Sequence, residues 1–397
     1  MMKKLAAILL LCGLAQVSLA QSSVTLYGII DIGLAYQVMS GVDSLSETRV
    51  GMNNGIQSGS RFGLRGTEDM GGGHRATFVL ENGFDAGNGT LSQGGRIFGR
   101  QAWVGLENDA WGYLRAGRQY NLATDYFTPI DPFRAGFGQA NMGVAFGAMN
   151  TTRYSNMLKV QTPVWSGFKL GAGYAFAPQL DAYYVSSSQV INGQGNAYNF
   201  DTTNNTRALS LGANYNVGPL TLAASYDQIM PNQNAPGVPG GVAGNSTPKE
   251  WIIGGIYDFS VVQLSLAYGQ TRGGVINGQS FTSGGNKSAL DSSGGTWGGA
   301  AGGVLFADGM AFNSYLVGLT APIGGSSKLF GSWTLASLST GNDTLGELGS
   351  QSLYSLGYQY DFTRRTNWYA AVSYANNPGF VSNMHSTLVV TGMRHQF

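Results

Sequence analysis

The chain has a single cysteine, three histidines and few charges, and beyond its first twenty residues it has no apolar run of helical span. Each shortage excludes something. Cys12 lies inside an N-terminal apolar stretch, and no small residue precedes it as lipid attachment would require. Removing that stretch leaves no thiol, hence no disulfide framework, thiol nucleophile or cysteine metal site. His74, His385 and His395 fall in no spacing suited to zinc or to a nucleophile dyad. The runs Gly71 to Gly73 and Gly302-Gly303 lack the Gly-Lys-Ser/Thr of a phosphate loop. No catalytic, metal or cofactor site is therefore expected, and no enzyme activity. Charged residues are 11% of the chain, less than half the share in an ordinary soluble domain.

The N-terminus supplies the one apolar run. Lys3 and Lys4 precede Leu5 to Leu14, and Ser18-Leu19-Ala20 offers small residues for cleavage before Gln21. This pattern predicts a secretory signal peptide over residues 1–20 and a single mature unit over 21–397. The run is too short to span ~30 Å of hydrocarbon. Its loss removes two lysines and takes the formal net charge from +1 to −1, which argues against a nucleic-acid partner.

What the chain has in plenty is glycine, 61 residues, and aromatics, 12%. With a mean hydropathy of −0.05, that composition suits a membrane β-barrel, whose strands turn alternate residues to lipid and to lumen. The alternation is plain in Val24 to Tyr36, where Val24, Leu26, Ile30, Ile32, Leu34 and Tyr36 share one parity and Asp31 takes the other. Similar segments are 168–176, 209–217, 220–226, 251–259, 264–268, 354–362 and 368–374. Many end in Tyr, Trp or Phe, the placement expected of interfacial girdles.

Connections alternate between short and long. Tight turns fall at Glu68 to Gly73, Glu107 to Gly112, Thr162 to Gly167, Asn216 to Pro219, Asp258 to Val261, Pro322 to Ser326 and Asp361 to Arg365. Longer polar or glycine-rich segments lie near 38–57, 85–96, 119–150, 178–206, 230–249, 271–310, 337–350 and 376–386. The fold class expected is all-β, a transmembrane antiparallel barrel of about sixteen strands with both termini on the short-turn, periplasmic side. At about that size a barrel encloses water. The last strand runs to Phe397 with Met393, Thr391 and Val389 on the same parity, so its final ring is expected at the periplasmic girdle, and pairing of last strand with first leaves no edge in lipid.

Parity also places charges. Arg61 and Arg65 oppose Phe62 and Leu64, and Arg153 opposes Tyr154, Leu158 and Val160; an arginine turned into hydrocarbon near the midplane would cost ~2–4 kcal/mol, so these arginines are expected in the lumen. Arg100 shares its parity with Phe98, Ala102 and Val104, which requires a bulge or a local wall contact.

Several stretches carry a family likeness. Ser23-Val24-Thr25-Leu26-Tyr27-Gly28, Ser60 to Asp69, Leu80 to Phe84, Phe98-Gly99-Arg100-Gln101-Ala102, Gly117-Arg118-Gln119-Tyr120 and Gly392 to Phe397 span the mature chain. They resemble the trimeric general porins of Gram-negative outer membranes, most closely the betaproteobacterial type. The resemblance implies a homotrimer in the cell outer membrane, in contact with lipid and lipopolysaccharide, each barrel a passive pore for ions and small hydrophilic solutes. It also implies a neck formed by the third long loop folding inward, and a barrel-assembly machinery that reads the terminal aromatic, Phe397. Arg61, Arg100 and Arg153 match the family's constriction arginines, with Arg118 beside them.

Within the inward loop, residues 135–148 carry no charge. Packed on the inner wall, the loop would bury Phe137, Met142, Val144 and Phe146 and leave Asp125, Asp131 and Arg134 near the passage. The arginine cluster raises the local anion concentration, unless Glu81, Asp31, Asp125 or Asp131 neutralises it. The enteric branch has Pro-Glu-Phe in this loop, whereas this chain has Asp131-Pro132-Phe133, which leaves the carboxylate's place in the neck open. A mild anion preference is expected. The alternatives are a solute-specific channel, a barrel-scaffold hydrolase with Ser, His and acid at one rim, and a soluble adhesin.

Overall fold

A computed structural model describes residues 23–41, 46–178, 183–185, 189–191, 206–231, 246–277, 304–340 and 348–397. The expected signal segment, 1–20, and much of the long connections near 178–206, 230–249, 271–310 and 337–350 lie outside them. The strands are β1 (Ser23–Ser40), β2 (Ser46–Asn54), β3 (Arg61–Gly71), β4 (His74–Gly83), β5 (Gln101–Asn108), β6 (Gly112–Tyr120), β7 (Arg153–Gln161), β8 (Phe168–Ala175), β9 (Tyr183–Val185) and β10 (Gln189–Ile191). They continue with β11 (Arg207–Val217), β12 (Leu220–Met230), β13 (Lys249–Asp258), β14 (Gln263–Val275), β15 (Val304–Ile323), β16 (Ser327–Thr340), β17 (Gln351–Asp361), β18 (Thr366–Asn376) and β19 (His385–Gln396).

These nineteen segments make a closed antiparallel barrel of 16 strands. β2 and β3 occupy one place in the wall, both pairing with β1, and β9 with β10 forms a small hairpin in a long connection. Closure runs from Ile29↔Gln396 to Ser40↔His385. Beyond it Gly28 and Phe397 exchange both backbone hydrogen bonds at 3.1 Å. All seven expected tight turns join the strands on one rim.

The stretch near 38–57, expected as a loop, is instead mostly strand. Residues 32–40 pair with 46–54, and Val50 and Met52 stand exposed on the outer face. After β2 the chain leaves the wall at 55–60, where it dips toward the lumen: the Ser58 N–H donates to Asp31 Oδ2 at 2.6 Å and Gln57 Nε2 to Gln359 Oε1 at 2.6 Å.

Alternation explains both faces. Leu222, Ile253, Leu266, Val317, Leu356, Val372 and Val389 stand exposed around the outside, while Ser225, Ile252, Ser265, Leu316, Ser355, Ala371 and Val390, of the opposite parity on the same strands, are buried. Closed pairing satisfies the backbone that faces hydrocarbon. Among the described residues no helix is long and apolar enough to cross a membrane.

Between β6 and β7 the chain turns into the barrel. Helix α1 (Leu122–Phe127) starts at Asn121, whose side chain accepts the Thr124 N–H, and three single 3₁₀ turns follow at 138–140, 142–144 and 147–149. Phe137, Met142, Val144 and Phe146 are all buried, as expected of a loop packed on the inner wall. The wall makes room for it with missing side chains. A Cβ on Gly318 would sit 2.5 Å from the Pro132 ring, and one on Gly212 would sit 2.7 Å from the Tyr126 ring.

Candidate functional site

The wall facing this loop carries a compact basic cluster. Arg61 opens β3, Arg153 opens β7, and Arg100 is the last residue before β5. That position answers its parity conflict, because Arg100 is not yet in the alternating ladder; its N–H donates to the Glu81 carbonyl. Its Nε donates to Glu81 Oε1 at 2.8 Å and its Nη2 to Tyr120 Oη at 2.8 Å. The same Tyr120 oxygen accepts Arg153 Nη2 at 2.5 Å, and the Arg153 guanidinium lies 4.3 Å from the Tyr120 ring centre. Arg61 is within electrostatic reach of Arg100, Arg153 and Tyr120 and donates Nε to the Gly59 carbonyl at 2.9 Å.

Three guanidinium groups thus gather about one phenol and one carboxylate. Glu81 is shared between Arg100 and the Tyr27 hydroxyl. The acid on the loop side is Asp125, and it is matched too: Lys159 Nζ bridges Asp125 Oδ2 at 2.7 Å and the Tyr120 carbonyl at 2.9 Å.

Other expected residues are placed differently. Asp131 does not line the passage; it is buried, accepting backbone N–H groups of Phe133, Ala135 and Met142. The acid before the proline turns back to cap its own loop, and burial pushes its carboxyl up to about 6 against the pull of those amides. Phe133 then packs edge-on against Phe137 and Phe330. Arg118 joins Gly99 to β7 through the Gly99 carbonyl at 2.7 Å and Ser155 Oγ at 2.9 Å. Asp31 is buried beneath the loop, bonded to Ser58 and Tyr369. Arg134 is exposed on the loop, within electrostatic reach of Lys328 and Arg394.

Arg153 faces the lumen, but not by strict alternation with Tyr154. One extra residue in β7, where Gly117↔Met157 gives way to Gln119↔Tyr154, breaks the parity, and Asn156 takes a φ of 52°. Tyr154 consequently faces in with Met157, fully buried, its hydroxyl donating to Asp227 Oδ1 at 3.1 Å.

Several residues escaped the sequence reading. Lys159 opposes Leu158 and Val160, Lys328 opposes Leu329, and Arg394 opposes Met393, so the parity rule used for Arg61 would have turned each inward. Nothing in the sequence marks Tyr120 as the acceptor shared by two arginines.

The comparisons with known proteins agree with this architecture. The family model described as Gram-negative porin matches residues 5–379. An outer-membrane porin protein of Bordetella pertussis is 46% identical over the full length of both chains, and outer-membrane porin protein 32 of Delftia acidovorans is 27% identical, also over both full lengths. Among solved structures, an anion-selective porin from Comamonas acidovorans superimposes with a TM-score of 0.66 at 25% identity, covering 95% of this chain and 100% of that one. The chain belongs to the Gram-negative porin family: it is a porin of the outer membrane, a channel and not an enzyme.

Proposed function

We propose that this porin is a passive diffusion pore for ions and small hydrophilic solutes, narrowed by the loop over residues 121–152 and mildly selective for anions. The observation that carries the reading is the unequal pairing at the neck. Glu81 is taken by Arg100 and Asp125 by Lys159, while Asp131 is turned into its own loop. Arg61 and Arg153 have no acid partner among the described residues, and both keep part of their surface open. Surplus positive charge beside a low-dielectric wall raises the local concentration of anions and repels cations. The Comamonas porin of similar fold is described as anion-selective, which supports the same sign here.

Family resemblance supports the remaining parts of the proposal. Residues 1–20 direct export and are removed, the barrel-assembly machinery recognises Phe397, and three copies assemble within lipid and lipopolysaccharide. Planar-bilayer recording tests the pore itself. Current should rise linearly with the concentration of a small organic anion, and the zero-current potential in a salt gradient should take the anion sign. Saturation at low concentration would instead indicate a solute-specific channel, and a cation sign would remove the role given to the arginines.

A further inference from the structure

The inward loop also reaches β16 to β19, where Phe133 packs on Phe330 and Phe137 on Tyr369. There it meets a second set of cations, on other strands than the arginines of the neck. Lys328 is the second residue of β16 and Arg394 lies three residues from the C-terminus, both beside the tight turns. Both take the inward parity, opposite the exposed Leu329 and Met393. Arg134 supplies a third cation from the loop, and each of the three is within electrostatic reach of the other two.

Like charges brought together repel unless something neutralises them, and the wall does so only in part. Among the described residues none of the three forms an ion pair. Lys328 Nζ lies 5.7 Å from the Phe330 ring centre, a contact that steadies the side chain and leaves its charge. Arg394 Nη1 donates to Ser58 Oγ at 3.2 Å, and its buried Nε has no hydrogen-bond partner. The acids in reach are Asp361 and Asp31. Asp361 accepts Gln359 Nε2 at 2.6 Å, and Asp31 accepts the Ser58 N–H and the Tyr369 hydroxyl, so three cations face two acids that other donors already hold.

The loop is shaped to present Arg134. Its φ of 50° and that of Ala135, 57°, place two successive residues with side chains in the left-handed region, where glycine would sit without strain. Asp131 holds the chain there: its carboxylate accepts the Phe133 and Ala135 N–H groups, and its carbonyl accepts the Arg134 N–H at 2.9 Å. A strained backbone that keeps an exposed arginine beside two unpaired cations is a mark of function.

We infer that Arg134, Lys328 and Arg394 form a second anion site on the periplasmic side of the inward loop, specific for small doubly charged oxyanions, phosphate and its monoesters. The guanidinium forks of Arg134 and Arg394 offer paired N–H donors to a phosphate, and Lys328 adds a compact charge. A singly charged anion gains less from the same three cations and passes unheld. Asp131 acts as a positioning residue, through the turn that carries Arg134. The inference rests on the diffusion-pore reading but not on the neck arginines, because retention of phosphate and the sign of selectivity are separate measurements on separate residues.

The test uses the purified full-length protein in planar bilayers carrying chloride current at about pH 8, where phosphate monoesters, with a second pKa of about 6, are dianions. Added inorganic phosphate should reduce the current along a saturating curve, glycerol phosphate should do the same, and acetate at equal concentration should not. Arg134→Asn suits left-handed backbone without the charge. It should raise the half-blocking concentration roughly threefold or more at an unchanged thermal midpoint, and Lys328→Gln/Arg394→Gln should raise it roughly tenfold or more. In both variants the zero-current potential in potassium chloride should keep the anion sign. If the wall pair does not insert, Arg134→Asn alone decides. Equal block by acetate, no block of the wild type by phosphate, or an unshifted half-blocking concentration in Arg134→Asn would overturn the site. Phosphate block lost in the variants, together with a cation-signed potential in the wild type, would support the site while refuting the neck reading.

Discussion

Asp227 and Glu250 face each other across the β12–β13 ladder, and each holds one end of the inward loop. Asp227 Oδ1 accepts Asn121 Nδ2 at 2.8 Å, and Glu250 Oε2 accepts the Ala148 N–H at 2.7 Å. Asn121 Nδ2 also donates to the Ala148 carbonyl at 2.8 Å, tying the two ends together. Both carboxylates are buried, and among the described residues no cation pairs with either.

Cutting this anchor should loosen the loop without opening the barrel. Asp227→Ala leaves the buried Tyr154 hydroxyl without its acceptor and takes one of two acceptors from the Asn121 amide, a loss of about 1–3 kcal/mol. Single-channel records should show more current noise, and the thermal midpoint should fall. Glu250→Gln keeps an acceptor for Ala148 and should be milder than Glu250→Ala. Wild-type noise and stability in both alanine variants would mean that the loop is held elsewhere.

Much of this arrangement was legible from strand alternation, and the exceptions have physical causes. The turns were found because glycine and aspartate punctuate them. The inward parity of Arg61 followed from Phe62 and Leu64, since only one face of that strand tolerates lipid. Tyr154 was misplaced because a single extra residue reverses parity, and nothing in Arg153 to Leu158 announces a bulge. Nothing in the sequence marks Asp227 and Glu250, because which wall positions a loop covers depends on contacts more than a hundred residues apart in sequence. Asp131 was expected in the passage because an acid beside a neck suggests a pore charge. The capping of Phe133, Ala135 and Met142 is a local turn that composition does not reveal.

Asp131 should leave a mark on the pH dependence of stability. Its folded value of about 6 lies above the 3.8 of an ordinary aspartate, so the folded loop binds the proton more readily than the unfolded chain does. Its contribution to stability is therefore greatest at low pH and falls as pH rises through that interval. Asp131→Asn removes the titration. The difference in thermal midpoint between wild type and variant should vary between about pH 4 and 6 and level off above it; a constant difference would contradict the burial argument.

At the seam, the Phe397 backbone completes the pairing with Gly28, and its ring fills the space that a Gly28 side chain would need. Deleting Phe397 should lower the yield of heat-modifiable oligomers in the outer membrane much more than it alters the conductance of those that form. Phe397→Tyr should lose less, since tyrosine keeps an amphipathic ring at the interface. Normal assembly with altered conductance would place this residue in the pore.

The central claim is that Arg61 and Arg153 carry the uncompensated charge of the neck, and the zero-current potential across a salt gradient tests it most directly. The wild-type potential should have the anion sign, and it should shrink stepwise in Arg61→Gln, Arg153→Gln and the double variant. Arg118→Gln, which alters a wall contact, should leave it nearly unchanged. A cation-signed potential in the wild type, or an anion-signed one unmoved by the double variant, would contradict the account.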